Sequence, residues 1–206
     1  MSVMVEKVYT DNPQPRLMKK AADVLAAGGV IVYPTDTIYG LGVDLFNKRA
    51  MERVLRIKKV SSHKLLSFVC ADMKEVAEWA LVSNEAYRVM RRVLPGPYTF
   101  ILKSSRKTPK ILLHKRKTVG IRIPDSVVAH SIAGELGRPI LSASVPLGAD
   151  GYYTDPLEIA EKFNNEINLI LDAGVMFNQP STIVDFSHDE PEIIREGLGD
   201  VNALFY

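Results

Sequence analysis

The chain has 206 residues, 47% of them hydrophobic and 24% charged, with 26 Lys and Arg against 24 Asp and Glu. These values exclude collagen-like and disordered classes, and no apolar run approaches the roughly eighteen residues that cross a bilayer. The length suits one sizeable core, and the first eleven residues hold Glu6, Lys7 and Asp11 where a signal peptide would be apolar, so a single cytoplasmic domain over residues 1–206 is expected.

In chain order, Leu17, Ala21, Ala22, Val24 and Leu25 fall at helical spacing between Arg16 and Ala27, and Gly28-Gly29 stop that helix. Val30 to Tyr33 is apolar throughout and reads as a strand covered on both faces, ended by Pro34. Asn47 caps a second helix that ends near Lys58. Leu65 to Ala71 reads as a short buried strand, Asp72 caps a helix to about Ala80, and Ser83 or Asn84 caps another to about Val93. Pro95-Gly96-Pro97 forces a turn into a strand from Tyr98 to Lys103, and Lys107 to Leu113 carries no clear pattern. Thr118 to Ile123 is a strand, Ser126 to Leu136 a helix closed by Gly137, and Ile140 to Ser144 a buried strand. Asp155 caps a helix that starts at Pro156 and runs to about Asn164. Strands at Ile167 to Asp172, Ser181 to Phe186 and Glu192 to Arg195 complete the set.

This irregular alternation predicts an α/β, three-layer domain with a twisted, mixed sheet of roughly seven strands rather than a Rossmann series. Neither G-x-G-x-x-G nor G-x-x-x-x-G-K-[ST] occurs. Cys70 lies in an apolar run and reads as a small core residue. The four histidines show no metal-ligand spacing and no Ser-His-Asp order, which sets zinc and hydrolase chemistry aside.

The near-neutral total hides an uneven distribution. Residues 48 to 122 hold 19 Lys and Arg against 5 Asp and Glu, and the remainder holds 7 against 19. A block with an excess of 14 positive charges implies either a polyanionic partner or a solvated basic face neighbouring the acidic segments.

Hydroxyl and cationic residues gather at predicted strand ends: Thr35 and Thr37, Thr99, Arg122, Ser142 and Ser144, Ser181 and Thr182, and Arg195. Ligands of open α/β sheets bind beside strand ends, so these residues are expected to converge on one concave site. Arg122, set among aliphatics, needs a carboxylate or phosphate to offset its desolvation, supplied by a ligand or by an internal Asp. Lys58, Lys59 and Lys64 bracket a loop from which ammonium groups reach triphosphate oxygens, or else form a solvated helix end. Asp36 and Asp44 read equally as turn residues, caps or acids.

Six ordered motifs resemble the YrdC/YciO family: Tyr33-Pro-Thr-Asp-Thr-Ile-Tyr-Gly-Leu-Gly42, Pro95-Gly-Pro-Tyr-Thr-Phe-Ile101, Val119-Gly-Ile-Arg-Ile-Pro124, Leu141-Ser-Ala-Ser144, Pro180-Ser-Thr-Ile-Val-Asp185 and Ile194-Arg-Glu-Gly197. The resemblance implies a twisted mixed sheet with a concave basic face. In the YrdC branch it also implies L-threonylcarbamoyladenylate synthase activity, in which threonine, bicarbonate and ATP give threonylcarbamoyl-AMP and pyrophosphate for N6-threonylcarbamoyladenosine formation in tRNA. By resemblance, Thr35, Tyr39 and Arg122 hold the amino acid; Lys58, Ser142 and Ser144 face phosphate; Ser181, Thr182 and Arg195 close on the nucleotide; and Mg²⁺ bridges phosphate oxygens with few protein ligands.

Two positions depart from the synthase pattern. Its Lys-x-Arg and Ser-x-Asn elements meet Val60 and Pro146 here, and this looks closer to the YciO branch. Losing one donor beside a transferring phosphate costs about 3 kcal/mol. Two function classes therefore stand: a synthase-like nucleotidyltransferase, and a double-stranded RNA or tRNA binder that uses the basic concave face without turnover.

Overall fold

The computed structural model describes residues 3–59, 66–109, 112, 117–146, 148, 151–188 and 190–205. Its strands are β1 (Met4–Lys7), β2 (Ile31–Tyr33), β3 (Gly40–Asp44), β4 (Ser67–Val69), β5 (Ala80–Leu81), β6 (Tyr98–Ser104), β7 (Thr118–Arg122), β8 (Ile140–Ser144), β9 (Leu169–Asp172), β10 (Thr182–Asp185) and β11 (Glu192–Arg195). Its helices are α1 (Pro15–Ala26), α2 (Lys48–Ile57), α3 (Met73–Trp79), α4 (Asn84–Val93), α5 (Val127–Leu136) and α6 (Pro156–Phe163).

The caps act through direct bonds. Asn47, Asp72, Ser83, Ser126 and Asp155 each accept a backbone N–H from the first turn of α2, α3, α4, α5 and α6 respectively. Gly137 closes α5 in the left-handed region, at φ +69°.

One mixed sheet runs through the chain in the order β1-β9-β2-β3-β8-β4-β7-β6-β10-β11, with β5 paired to β6. The eight strand segments legible in the sequence, expected as a sheet of roughly seven, become eleven among the described residues. The additions are β1, β3 and β5. Strand β3 was hidden by its two glycines, which suit it because the ring of Tyr33 and the Ser142 hydroxyl crowd the space where a Gly40 side chain would stand. Strand β1 is a short, mostly exposed edge, and β5 has only two residues.

Strand alternation separates two apolar layers. Ile31, Tyr33, Val69, Ile140, Leu169 and Leu171 meet the buried faces of α1 and α5. Val32, Leu41, Phe68, Phe100 and Ile121 point the other way, into the larger cluster built with α2, α3, α4 and α6. Every residue from Val30 to Tyr33 is fully buried, as a strand covered on both faces requires. Cys70 is a buried free thiol that packs in this larger cluster. No described helix is long and apolar enough to cross a membrane.

Candidate active site

Helices α1 and α5 cover only part of their face of the sheet, and the strands beyond them floor a cavity of about 770 Å³. The floor follows from register. Asp185 pairs with Ile101, Ile101 with Gly120, Gly120 with Ser67, Ser67 with Ser142, and Ser142 with Gly42, a single row across β10, β6, β7, β4, β8 and β3. Gly120, Ser67 and Ser142 in that row line the cavity and leave a trench, whereas Tyr33 and Ile140 fill the space over Gly42. Gly120 is held to its size by close approach, because an added Cβ would stand 2.6 Å from Ser67 Oγ.

Donors gather at one end. Arg122 lies opposite Thr99 by extension of the β6–β7 register, and Thr99 Oγ1 lies 2.8 Å from Ser181 Oγ. Arg195 donates to the Ser181 carbonyl through Nε at 3.1 Å and Nη2 at 2.7 Å. Lys58, held by the last turn of α2, donates to the carbonyls of Ser144 at 2.8 Å and Val145 at 3.4 Å. Burial, then the like charge of Arg195, brings the Lys58 ammonium down to about 8. Burial also lowers Arg195, and Arg122 adds to that effect. Arg195 thus lies within electrostatic reach of both Lys58 and Arg122.

Arg122 answers the question of its partner. Its Nη2 donates to Asp36 Oδ1 at 2.6 Å and to Thr37 Oγ1 at 3.3 Å, and the two ionic side chains are only 11% and 9% exposed. Asp36 is thus an internal counter-ion, and its other oxygen accepts the Asp125 N–H. Arg122 nevertheless lines the cavity, and its buried Nε has no partner among the described residues.

Thr35 is not among the residues lining the cavity. Its hydroxyl donates to the Ile38 carbonyl at 2.7 Å and accepts the Thr37 N–H, which fixes the turn that brings Thr37 to Arg122. Tyr39 does line the cavity, but its hydroxyl is engaged: it donates to the Gly174 carbonyl and accepts the Ala173 N–H. Burial raises that phenol to about 12. Ser142 lines the cavity and bonds the Tyr33 hydroxyl at 2.8 Å; Ser144, Ser181 and Arg195 line it as well. Thr182 faces the opposite layer, donating to the Gly199 carbonyl and accepting the Gly197 N–H. Lys64 and Val60 lie outside the described residues, while Pro146 stands in the cavity wall.

The basic block is not a single concave face. Of its described cations, Lys58, Lys59 and Arg122 line the cavity, whereas Arg88, Arg91 and Arg92 lie exposed on α4, whose buried side packs in the opposite layer. Lys162 and Arg195 come to the cavity from outside the block. Tyr152, Tyr153, Lys162, Ser67 and Asp185 are lining residues that the motifs did not single out as a site. The two-residue alternation from Ser181 through Ile183 to Asp185 was the available signal for the last.

This arrangement has counterparts. A family model described as telomere recombination, spanning the Sua5, YciO and YrdC proteins, matches residues 23–197. The chain belongs to the Sua5/YciO/YrdC family. Within that family it is 40% identical over 199 residues to the uncharacterized protein YciO of Escherichia coli, across 96% of this chain and 97% of that one. The crystal structure of E. coli YciO matches with a TM-score of 0.92 at 38% identity, covering 98% and 99% of the two chains. A threonylcarbamoyl-AMP synthase of Chromobacterium violaceum is 33% identical over 178 residues, 84% of this chain and 90% of that one. Sua5 of P. abyssi, solved in complex with L-threonine, matches with a TM-score of 0.85 at 25% identity, over 96% of this chain and 58% of that one.

Proposed function

We propose that this family member is a threonylcarbamoyl-AMP synthase-like nucleotidyltransferase. The observation that carries the reading is the convergence of Arg122, Lys58 and Arg195, with the Thr99/Ser181 hydroxyl pair, on one cavity. Threonylcarbamoyl-AMP synthases and a threonine-bound Sua5 among its relatives support it.

In this reading the threonine amine takes up the carbon of bicarbonate with loss of water, giving a carbamate. A carbamate oxygen attacks the α-phosphorus of ATP, the bond from that phosphorus to the bridging oxygen breaks, and pyrophosphate leaves. Both partners are anionic, so the protein's contribution is alignment and charge neutralisation. Arg122, which lines the cavity, receives the threonine carboxylate; Thr35 and Tyr39 act behind it by fixing the Thr37 turn and the Gly174 loop. Lys58, Ser142, Ser144, Ser181 and Arg195 face phosphate and nucleotide, and Thr182 anchors the segment that follows Arg195. Mg²⁺ would be carried in on the triphosphate, a mode that needs few protein ligands. Such an ion supplies positive charge to the leaving pyrophosphate.

The test is pyrophosphate release from ATP in the presence and absence of threonine and of bicarbonate. Turnover requiring both, and lost in Arg122→Ala, supports the synthase. No threonine-dependent turnover, together with salt-sensitive tRNA binding that survives Arg122→Ala, favours the RNA-binding alternative.

A further inference from the structure

Asp185 is out of character with the rest of the cavity. It lines a site rich in cations and hydroxyls, is only 4% exposed, and forms no ion pair with any described residue. Its register neighbours are Ile101 on β6 and Glu192 on β11, neither of which offsets a buried carboxylate. One oxygen is accounted for: Oδ1 accepts the Ser187 N–H at 2.7 Å, ending the strand in a local turn. Among the described residues nothing donates to Oδ2. That oxygen is not sealed in the core either, since it is absent from the buried side-chain atoms that lack a partner. It is an acceptor open to the cavity.

Its place along the sheet defines what it meets. Ser181 and Asp185 lie on one strand segment four residues apart, about 13 Å at the usual rise. Ser181 is the donor-rich end, where Arg195 and Thr99 converge, and Asp185 is the acceptor end. That separation is comparable to the reach of an extended nucleotide from its α-phosphate to the far edge of its base. Ile183 lies between the two ends, and the floor beside Asp185 in its own row is Ile101, Gly120 and Ser67, apolar or small, and shaped to receive a flat ring. Arg122 is two strands and two residues away, about 12 Å between backbones. An amino acid held by its carboxylate on Arg122 cannot also place its amine on Asp185.

We infer that Asp185 reads the base of the bound nucleotide, accepting a hydrogen bond from the exocyclic amine of adenine through Oδ2. The inference rests on the nucleotide reading proposed above and adds its base selectivity. Inosine triphosphate is the discriminating probe, because it differs from ATP at that position by presenting a carbonyl oxygen, which would face the carboxylate acceptor to acceptor.

The experiment measures the Kd of the full chain for ATP and for inosine triphosphate, with Mg²⁺, in wild type and in Asp185→Asn. Asparagine keeps an oxygen for the Ser187 N–H and turns an amide donor toward the ligand. ATP is expected to bind the wild type about tenfold or more tighter than inosine triphosphate, with the preference lost or reversed in the variant. Equal affinities in the wild type overturn the inference while leaving the synthase reading intact, and this arm needs no variant to fold. An unchanged preference in folded Asp185→Asn also overturns it. Failure of ATP to bind defeats both the inference and the reading beneath it.

Discussion

Asp36 and Arg122 meet at 2.6 Å where the turn after β2 crosses the end of β7, and Asp36 reaches on to the Asp125 N–H at the entry to α5. One carboxylate thus ties three segments together while it orients the guanidinium that faces the cavity. Since both side chains are about nine-tenths buried, removing one strands the other. Asp36→Ala is expected to destabilise the fold by about 3–5 kcal/mol, and Asp36→Asn by less because the amide oxygen still accepts. Denaturant unfolding measures both; a loss below 1 kcal/mol in Asp36→Ala would contradict this view of the pair.

In the proposed reading, Lys58 is expected to make nucleotide binding pH-dependent. Its ammonium falls from an ordinary 10.5 to about 8 on folding, because burial and Arg195 penalise the charged form. Between those values the unfolded chain holds a proton that the folded chain has released, so this group makes stability rise with pH across that window. Ligand binding runs in the opposite direction, since the neutral amine above pH 8 no longer attracts phosphate. ATP affinity is expected to weaken by up to about tenfold per pH unit above 8, and Lys58→Arg to flatten the profile. Titrations from pH 7 to 9.5 read this directly, and a flat wild-type curve would remove Lys58 from the phosphate site.

Tyr39 is a pin between β3 and the loop after β9. In Tyr39→Phe the Ala173 N–H and the Gly174 carbonyl both lose their side-chain partner. The expected cost is about 1–3 kcal/mol, seen as a lowered Tm, with weaker threonine dependence following from a displaced Gly174 loop rather than from a lost ligand contact. An unchanged Tm would show the pin to be dispensable.

The trench depends on Gly120. Gly120→Val places carbon against Ser67 Oγ and into the floor. It is expected to lower stability by about 1–3 kcal/mol and ATP affinity by about tenfold or more. Combining it with Ser67→Gly should restore much of the stability but not the affinity, because the added methyls still occupy the floor. Recovery of both by calorimetry would place the ligand elsewhere.

Helices α2 to α6 were legible in the chain because each carries its own capping residue, Asn47, Asp72, Ser83, Ser126 and Asp155 at the starts, and Gly137 closes α5. The buried strand from Val30 to Tyr33 was equally plain, since burial on both faces leaves no room for polar residues. Strand β3 was not, because its glycines are explained only by Tyr33 and Ser142, which reach it through pairing.

The motifs by themselves determined the family and a set of cations and hydroxyls at strand ends. Only the tertiary structure decided which of these side chains are free to act: it gave Arg122 an internal counter-ion, spent the Thr35 and Tyr39 hydroxyls on backbone, and turned Thr182 toward the opposite layer. It also placed Asp185 in the cavity and Arg88, Arg91 and Arg92 outside it. The physical reason is that residue types fix what bonds are available, whereas the register and curvature of a sheet assembled from distant segments fix which partner each bond finds.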